Sequence, residues 1–240
     1  MALSLKEWII SHVHSFDQMS PREVCYQQFF REECRPMPID SKHFYSPADG
    51  IIIYQKIVRP KDKILEVKGV NYNLCDILMD NNLPNIEYAV SSVFMSAYDI
   101  HSNRSSMAGF LSHKKLPAIK SKNFPMIFME KDIFTDKVNF KDRDYTYLFN
   151  NKRVVNTVYA PKLKQKYYIV QIADQDIDVI SHFDTSQNVW KNTSEKFGTI
   201  RFGSQCDLIV PLENGLKVEF CQEEFYHVEG GVDRLIRIVD

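Results

Sequence analysis

The sequence has no long apolar run and no excess of charge of one sign. No stretch approaches the roughly 18 apolar residues that a membrane-spanning helix needs, and the N-terminus lacks the basic-then-apolar layout of a signal peptide. We therefore expect a cytoplasmic protein, at most peripheral to a membrane. With 30 Lys and Arg against 31 Asp and Glu, the net charge is -1. This balance argues against a nucleic-acid partner, because such proteins usually show a clear basic excess.

The cysteines are too few and too scattered for a disulfide framework or a zinc site. There are five, an odd number, and no two of them form a CxxC pair. We expect reduced thiols of a cytosolic protein. The sequence also lacks a P-loop, a dinucleotide-binding glycine pattern and an HExxH motif. His12 and His14 are two positions apart on a predicted helix and do not share a face, so we expect no metal.

What is present is a chain of ordinary globular composition, with 44% hydrophobic and 25% charged residues in a length of 240. Short β-rich runs, such as 50–58, 63–68 and 167–172, alternate with turn residues after the first 40 positions. There is no internal repeat, low-complexity tract or linker. We predict an α+β fold, a single β-dominated domain with short N-terminal helices. Residues 1–28 would form the helical segment and 29–240 the main domain.

The first segment carries apolar residues at helical spacing, namely Leu5, Trp8, Ile9, Val13 and Phe16. This pattern predicts an amphipathic helix over residues 3–16. One interpretation is that its apolar face packs on the domain. The other is a helix lying on a membrane surface, although Lys6, His12 and His14 supply few cations to attract anionic lipid.

A Gly203-Ser204 bond lies between two strand-like runs near the C-terminus. Glycine tolerates a strained backbone, and the hydroxyl of the following serine can attack the glycine carbonyl. The N→O acyl shift gives an ester, β-elimination leaves dehydroalanine, and hydrolysis yields a pyruvoyl group and ammonia. A lone Gly-Ser pair is usually a turn or a bulge, so the accompanying motifs decide between the two interpretations.

Three further blocks accompany this bond: Tyr45-Ser-Pro-Ala-Asp-Gly50, Val67-Lys-Gly69 and Phe94-Met-Ser-Ala-Tyr-Asp-Ile-His-Ser-Asn-Arg104. Together with the Gly-Thr-Ile-Arg-Phe-Gly-Ser segment that ends at Ser204, they resemble the phosphatidylserine decarboxylase family, in particular its short bacterial and archaeal form. The resemblance runs from about Phe29 to about Val218. It implies a self-processing, pyruvoyl-dependent carboxy-lyase that converts phosphatidylserine into phosphatidylethanolamine.

The resemblance also implies the catalytic set Asp49, His101 and Ser204. Asp49 would orient and charge-stabilise the His101 imidazole, which would deprotonate Ser204 for cleavage between 203 and 204. The pyruvoyl cofactor made from Ser204, without a metal, would form a Schiff base with the substrate amine and accept the electrons released as CO₂ leaves. His101 would then protonate the resulting carbanion.

Three residues are implied as substrate-binding. Asn103 can fix a tautomer or donate to a carbonyl, and Arg104 can hold an anion bidentately. Long-form relatives have a second histidine at the position of Arg104, which leaves His101 as the candidate for both reactions. Lys68 lies in the Lys-Gly pair that the family places beside the substrate path.

Some positions depart from the family pattern. Gln205 stands where the short form has arginine, residues 174–178 are acidic where it has paired arginines, and Lys152 replaces an acidic residue. Either the substrate is less anionic than phosphatidylserine, or these residues form a solvated face. A soluble amino acid or serine-bearing metabolite is therefore an alternative substrate. A non-catalytic binding module is a further alternative, against which the intact catalytic set argues. The oligomeric state stays open.

Overall fold

The computed structural model describes residues 2–29, 31, 33–116, 125–173, 180–200 and 204–239, apart from the side chains at positions 21 and 25. Gly203 and the acidic block 174–178 therefore lie outside the described residues. All structural statements below concern the described part of the chain.

The N-terminal segment is a series of short helices. It contains strand β1 (Leu3–Ser4), helix α1 (Leu5–Ser11), a 3₁₀ turn (Val13–Phe16), helix α2 (Pro21–Val24) and a π turn (Cys25–Phe29). Ser4 begins α1 with a capping box: its hydroxyl accepts from the Glu7 amide, and the Glu7 carboxylate accepts from the Ser4 amide at 3.0 Å. The predicted single helix over 3–16 is thus divided at His12, where α1 ends.

Strands are the main regular structure of the remaining chain. The strands are β2 His43–Tyr45, β3 Gly50–Val58, β4 Leu65–Val67, β5 Val70–Tyr72, β6 Tyr88–Met95, β7 Ser102–Arg104, β8 Gly109–Leu116, β9 Arg153–Ala160, β10 Gln165–Ala173, β11 Ile180–His182, β12 Val189–Lys191, β13 Lys196–Ile200, β14 Ser204–Pro211, β15 Lys217–Phe220, β16 Tyr226–Val228 and β17 Arg234–Val239. Three short helices separate some of them: α3 Leu74–Leu78, α4 Ile127–Phe134 and α5 Tyr147–Asn150. The predicted strand-dominated α+β fold is confirmed.

A main sheet organises the described strands. Its order is β1-β16-β3-β6-β14-β10-β9-β8-β12, and every neighbouring pair is antiparallel. Two smaller sheets have the orders β11-β13-β7 and β15-β17-β2, and β4 pairs with β5 as a hairpin. The C-terminal strand β17 belongs to the second small sheet.

The main sheet has an apolar core on each face, because successive side chains of a strand point to opposite faces. Ile209 of β14 and Val170 of β10 belong to the core that includes residues of α3, α4 and α5. Leu208 and Ile169 belong to the core that includes residues of the two small sheets. Helices therefore cover one face of the sheet and small sheets the other.

The apolar face of the N-terminal segment packs on the domain. Trp8 is 2% exposed and Val13 is 8% exposed, and Leu5 and Ile9 contact the same core. Of the two interpretations offered by the sequence, this one describes the structure. In the described part of the chain, no helix combines the length and the apolar character needed to cross a membrane.

Candidate active site

The three residues of the predicted catalytic set lie toward one end of the main sheet. Asp49 immediately precedes β3, and Ser204 is the first residue of β14. The antiparallel register places Ser204 opposite Met95, the last residue of β6, and Ile51 opposite Phe94. The loop that leaves β6 then carries His101. Three separate stretches of the chain thus come together at this end of the sheet, because antiparallel neighbours start and finish at alternate ends.

Ser204 is fully buried between two neighbouring strands. In the register of the sheet, Ser204 lies opposite Met95 of β6 and Ala173 of β10. The strand that leads toward it, β13, is attached to His101: the Ile200 amide donates to the His101 carbonyl at 3.1 Å, and the Thr199 hydroxyl does so at 2.5 Å. The segment around the predicted cleavage bond is therefore tied at its upstream end to the backbone of His101.

The His101 imidazole is arranged as a neutral base. The ring is 2% exposed, and its Nδ1 lies 2.9 Å from the Asp99 carbonyl oxygen. A carbonyl only accepts, so Nδ1 carries the proton and Nε2 keeps its lone pair. Nε2 is buried and has no hydrogen-bond partner among the described residues. Burial lowers the pKa of His101 to about 4, and Phe29 stacks on the ring at 3.6 Å between centroids.

Asp49 is paired with an arginine that the sequence analysis did not single out. Arg35 Nη2 lies 2.7 Å from Asp49 Oδ2, and Nη1 donates to Oδ1, so the pair is bidentate. The Gly230 amide donates to Oδ1 at 2.8 Å. Arg35 also pairs with Glu33 at 2.8 Å. Burying a carboxylate requires a charged partner, but the sequence does not reveal which of the 30 Lys and Arg residues it is.

The structure does not give Asp49 the hydrogen bond to His101 that a catalytic triad would have. The acceptor at His101 Nδ1 is the backbone carbonyl of Asp99. In the structure, a carbonyl thus performs the tautomer-fixing part of the role expected of Asp49. The part of Asp49 in self-cleavage stays a prediction.

Asn103 and Arg104 are buried and hydrogen-bonded to protein groups. The Asn103 side-chain oxygen accepts from Gln171 Nε2 at 2.7 Å, and its nitrogen lies 3.7 Å from Met95 Sδ. Arg104 Nη1 donates to the Ser194 carbonyl at 2.9 Å. Both residues lie on β7, which pairs with the strand leading toward the cleavage segment. Their roles in substrate binding stay predictions.

Lys68 is placed apart from the other predicted site residues. It occupies a two-residue hairpin turn between β4 and β5 with φ of 50°, followed by Gly69 with φ of 78°. Two consecutive positive φ values are typical of a type I′ turn. Its ammonium pairs with Asp144 at 2.8 Å on the surface. This pairing, rather than a catalytic contact, is what the structure shows for Lys68.

Gln205, one of the departures from the family pattern, belongs to a buried polar network. Its Nε2 donates to Asp207 at 2.8 Å, and its Oε1 accepts from the Tyr147 hydroxyl at 2.9 Å. The Ser92 hydroxyl also donates to Asp207, at 2.6 Å. Burial raises the pKa of Asp207 to about 6. Because adjacent strand residues point to opposite faces, this network lies across the sheet from the Ser204 side chain.

Comparison with known proteins identifies the family of this chain and several relatives. The family model for phosphatidylserine decarboxylase matches residues 24–233. A phosphatidylserine decarboxylase proenzyme of Cytophaga hutchinsonii is 25% identical over 81% of this chain and 70% of the relative. One from Wolbachia pipientis is 28% identical over 79% and 67%, and one from Cupriavidus taiwanensis is 26% identical over 78% and 68%.

The match covers the described sheet end with its serine, its histidine and its aspartate, and it extends over most of the strands. The same end of the sheet carries a neutral, buried imidazole and a buried serine, and self-processing requires a base and a hydroxyl nucleophile. The chain belongs to the phosphatidylserine decarboxylase family, whose members are pyruvoyl-dependent carboxy-lyases made as proenzymes.

Proposed function

We propose that this protein cleaves itself between Gly203 and Ser204 and then decarboxylates phosphatidylserine to phosphatidylethanolamine. The observation that carries the proposal is the His101 imidazole, whose unprotonated Nε2 is buried, without a partner among the described residues, at the sheet end where Ser204 begins β14. A buried nitrogen lone pair with no donor lowers the stability of the fold, and such perturbed groups are concentrated at functional sites. A serine hydroxyl is a weak nucleophile at its ordinary pKa, and His101 would activate it by accepting its proton.

Self-cleavage follows from this arrangement in balanced steps. Ser204 Oγ attacks the Gly203 carbonyl carbon while its proton passes to His101 Nε2. The C–N bond breaks, the amide nitrogen takes the proton, and an ester joins the two parts of the chain. Removal of the Ser204 Cα proton then expels the Gly203 carboxylate by breaking the Cβ–O bond. Water converts the resulting dehydroalanine into the pyruvoyl group and ammonia.

The residues around Ser204 fit the group that is made from it. The position is fully buried at the first residue of a central strand, so the group would be fixed and shielded from water. When formed, the pyruvoyl group supplies a carbonyl that binds the substrate amine and accepts electrons as CO₂ leaves. His101 Nε2 would take the proton that the substrate ammonium must lose before it reacts, and would return it to the substrate carbon that loses CO₂. Asp49 and its partner Arg35 form the charged wall of the same sheet end.

A phospholipid is the substrate that agrees best with these contacts. The relatives are named for phosphatidylserine. Gln205, which had suggested a less anionic substrate, contacts Asp207 and Tyr147 across the sheet from Ser204. Its difference from arginine therefore concerns the core and not the substrate. The acidic block 174–178 is outside the described residues and adds no argument.

Intact mass and activity of purified protein test the proposal. We expect fragments 1–203 and 204–240, the smaller with 240 − 203 = 37 residues and a blocked N-terminus. Ser204→Ala should remain one chain, and His101→Gln should be cleaved slowly or not at all. His14→Gln, a change at an exposed histidine, is the matched control and should behave like wild type.

Incubation with substrate completes the test. CO₂ release from phosphatidylserine vesicles, and none from free serine, is the expected result. Release from free amino acids alone would favour a soluble substrate. Normal cleavage of Ser204→Ala would contradict the proposal as a whole, and normal cleavage and turnover of His101→Gln would show that another group acts as the base.

Access to a lipid substrate requires contact with a bilayer, which we place at α1 and α4. Ile10 on α1 is 58% exposed, and Ile127 and Phe128 in the first turn of α4 are 58% and 51% exposed. Between the two helices lies an apolar groove lined by Ile9, Ile10, Ile133 and Phe134, among others. Burying such side chains in a membrane is favourable at roughly 25 cal/mol per Å² of apolar area.

Vesicle co-sedimentation tests this contact. We expect reversible binding of wild type that weakens in Ile10→Glu and in Phe128→Glu. Phe183→Glu, which changes an exposed phenylalanine after β11, should bind like wild type. Equal loss in all three variants, or none in any, would exclude the α1–α4 surface.

A further inference from the structure

A histidine–aspartate pair lies directly behind the predicted catalytic histidine. His227 Nε2 lies 2.6 Å from Asp99 Oδ1, and both side chains are buried. The other carboxylate oxygen accepts from the Ser96 amide at 2.8 Å and from the Ser96 hydroxyl at 2.7 Å. The backbone carbonyl of the same residue, Asp99, accepts the hydrogen bond from His101 Nδ1. One residue thus connects the two histidines, through its side chain on one side and its backbone on the other.

Asp99 is held in its ionised form by these contacts. Burial by itself would raise the pKa of this carboxyl, but the His227 ring and the donors of Ser96 outweigh it and lower the pKa. An ionised carboxylate accepts only, so His227 Nε2 carries the proton in this pair. Removing that N–H would leave a buried negative charge short of a donor, and the loop would relax to find another.

His227 is itself fixed from both sides. Its residue lies on β16, opposite Ile51 of β3 and Leu3 of β1. Its ring stacks on Trp8 of α1, with the centroids 4.4 Å apart and the planes 9° from parallel. Trp8 in turn stacks on Phe134 of α4 at 6.0 Å. The buried tryptophan of the N-terminal helix therefore backs the ring that holds Asp99.

These contacts form a continuous path toward the reaction centre. Trp8 restrains the His227 ring, His227 restrains the Asp99 carboxylate, and the Asp99 carbonyl sets which nitrogen of His101 is protonated. A small polar cavity of about 150 Å³ lies along this path, with Asp49, Asp99 and His227 in its wall. Partners that fix the tautomer of a catalytic histidine change rates without touching the substrate, as the aspartate of a serine-protease triad does.

We propose that His227 is a positioning residue for the catalytic histidine: it holds Asp99 so that His101 keeps its Nδ1–H tautomer and presents Nε2 as the base. The inference rests on the proposed role of His101 in self-cleavage and turnover. Nothing in the four motif blocks points to His227, which lies beyond all of them in the sequence.

The decisive variants separate the hydrogen bond from the stacking. His227→Phe keeps an aromatic ring on Trp8 and removes the N–H donor. We expect self-cleavage to slow by at least about tenfold, the lower end of the range for outer-shell partners of metal-bound histidines. In the matured fraction, kcat should fall similarly while KM for phosphatidylserine vesicles stays within about twofold. His227→Gln, whose Nε2–H can reach the same carboxylate, should recover most of the lost rate.

Two further variants guard against an effect on folding alone. His43→Phe removes a second histidine–aspartate pair of the same 2.6 Å length, with Asp40, in the small sheet that contains β2. It should cleave like wild type. Asp99→Asn keeps the shape and leaves no buried charge unpaired, so it should fold, and we expect it to slow cleavage as His227→Phe does.

Each outcome decides between alternatives. Wild-type rates in a folded His227→Phe or Asp99→Asn variant would overturn the inference. So would an equal loss in His43→Phe, or the absence of any recovery in His227→Gln. If His101→Gln matures and turns over normally, another group acts as the base, and the role proposed for His101 fails together with that of His227. If His101→Gln is inactive while His227→Phe is normal, only the positioning role of His227 is wrong.

Discussion

His101 combines complete burial with an imidazole nitrogen that accepts no hydrogen bond from the described residues. Burial disfavours the charged form of the ring, so its pKa falls from 6.5 to about 4. An exposed histidine would be half protonated near pH 6.5, whereas His101 remains neutral there. The residue is thus available as a base over the whole neutral and mildly acidic range.

A pH profile of self-cleavage follows from this shift. We expect the first-order rate constant to stay nearly constant from about pH 7.5 to about pH 5.5 and to decline toward pH 4. Gel time courses of purified precursor at each pH measure it, with circular dichroism showing that the protein remains folded. A decline with its midpoint near pH 6.5 would mean that the base is not buried as described.

At the scale of single elements, the start of β3 depends on a glycine. Gly50 has φ of 150°, and a Cβ atom built there would lie 2.2 Å from the Phe94 carbonyl oxygen of β6. The two strands therefore approach too closely for any side chain at this position. Asp49, the residue before Gly50, is held to Arg35 at the same point.

Replacing this glycine should disturb both stability and the site. We expect Gly50→Ala to separate β3 from β6, to displace Asp49 and to impair self-cleavage. Gly69→Ala is the matched control, because Gly69 also has positive φ, 78°, but has no atom within 4 Å of a built Cβ. The control should lose only about 1–2 kcal/mol from backbone strain. Chemical unfolding and cleavage time courses measure both effects, and similar losses in the two variants would contradict the account.

At the scale of the whole molecule, the strands of the predicted small fragment pair with strands of the large fragment. Strand β14 lies between β6 and β10, β16 pairs with β3 and β1, and β17 pairs with β2. All of these partners belong to the larger fragment. Cleavage before Ser204 would therefore cut one bond and leave the sheets intact.

The two fragments should consequently remain one particle after cleavage. We expect a single peak near 28.1 kDa per protomer in size-exclusion chromatography, from a sample that shows two bands on a denaturing gel. Separation should require denaturant. Loss of the 37-residue fragment (240 − 203) under native conditions would show that the β14 interfaces are weaker than their burial implies.

The stability of the whole fold should depend on pH through Asp207. Its pKa is about 6 in the fold against 3.8 ordinarily. As the pH rises, the unfolded chain therefore loses this proton at a lower pH than the folded chain does. Its contribution to the free energy of unfolding is therefore lost as pH rises from about 4 to about 6, by up to about 3 kcal/mol. The contribution of His101 to the free energy of unfolding has the opposite slope in this range. As the pH falls, the unfolded chain binds a proton at this histidine at a higher pH than the folded chain does.

Comparison with Asp207→Asn isolates this contribution. We expect the variant to gain stability relative to wild type as pH rises from about 4 to about 7, and the two slopes to converge above that range. Urea unfolding at a series of pH values gives the difference directly. A constant difference across the series would show that Asp207 titrates as an exposed carboxyl does.

The sequence by itself determined the β-dominated α+β class, the ordered family motifs and the location of Ser204 and His101 within them. Strand periodicity and turn residues are local properties, so neighbouring residues in the sequence are enough to predict them. The spacing of apolar residues likewise predicted the amphipathic N-terminal segment. One of its two interpretations, an apolar face packed on the domain, is what the structure shows. It did not place β17 in a separate sheet, because pairing of strands is decided between distant parts of the chain.

Only the tertiary structure decided which groups meet at the sheet end. His227 contacts Asp99 across 128 residues, and the Gly230 amide reaches Asp49 across 181 residues. It also decided that Arg35 pairs with Asp49 and that Gln205 faces away from Ser204. The physical reason is that burial leaves each polar group only the partners brought within hydrogen-bond reach by folding. Local sequence specifies the strands, whereas the register between strands specifies those partners.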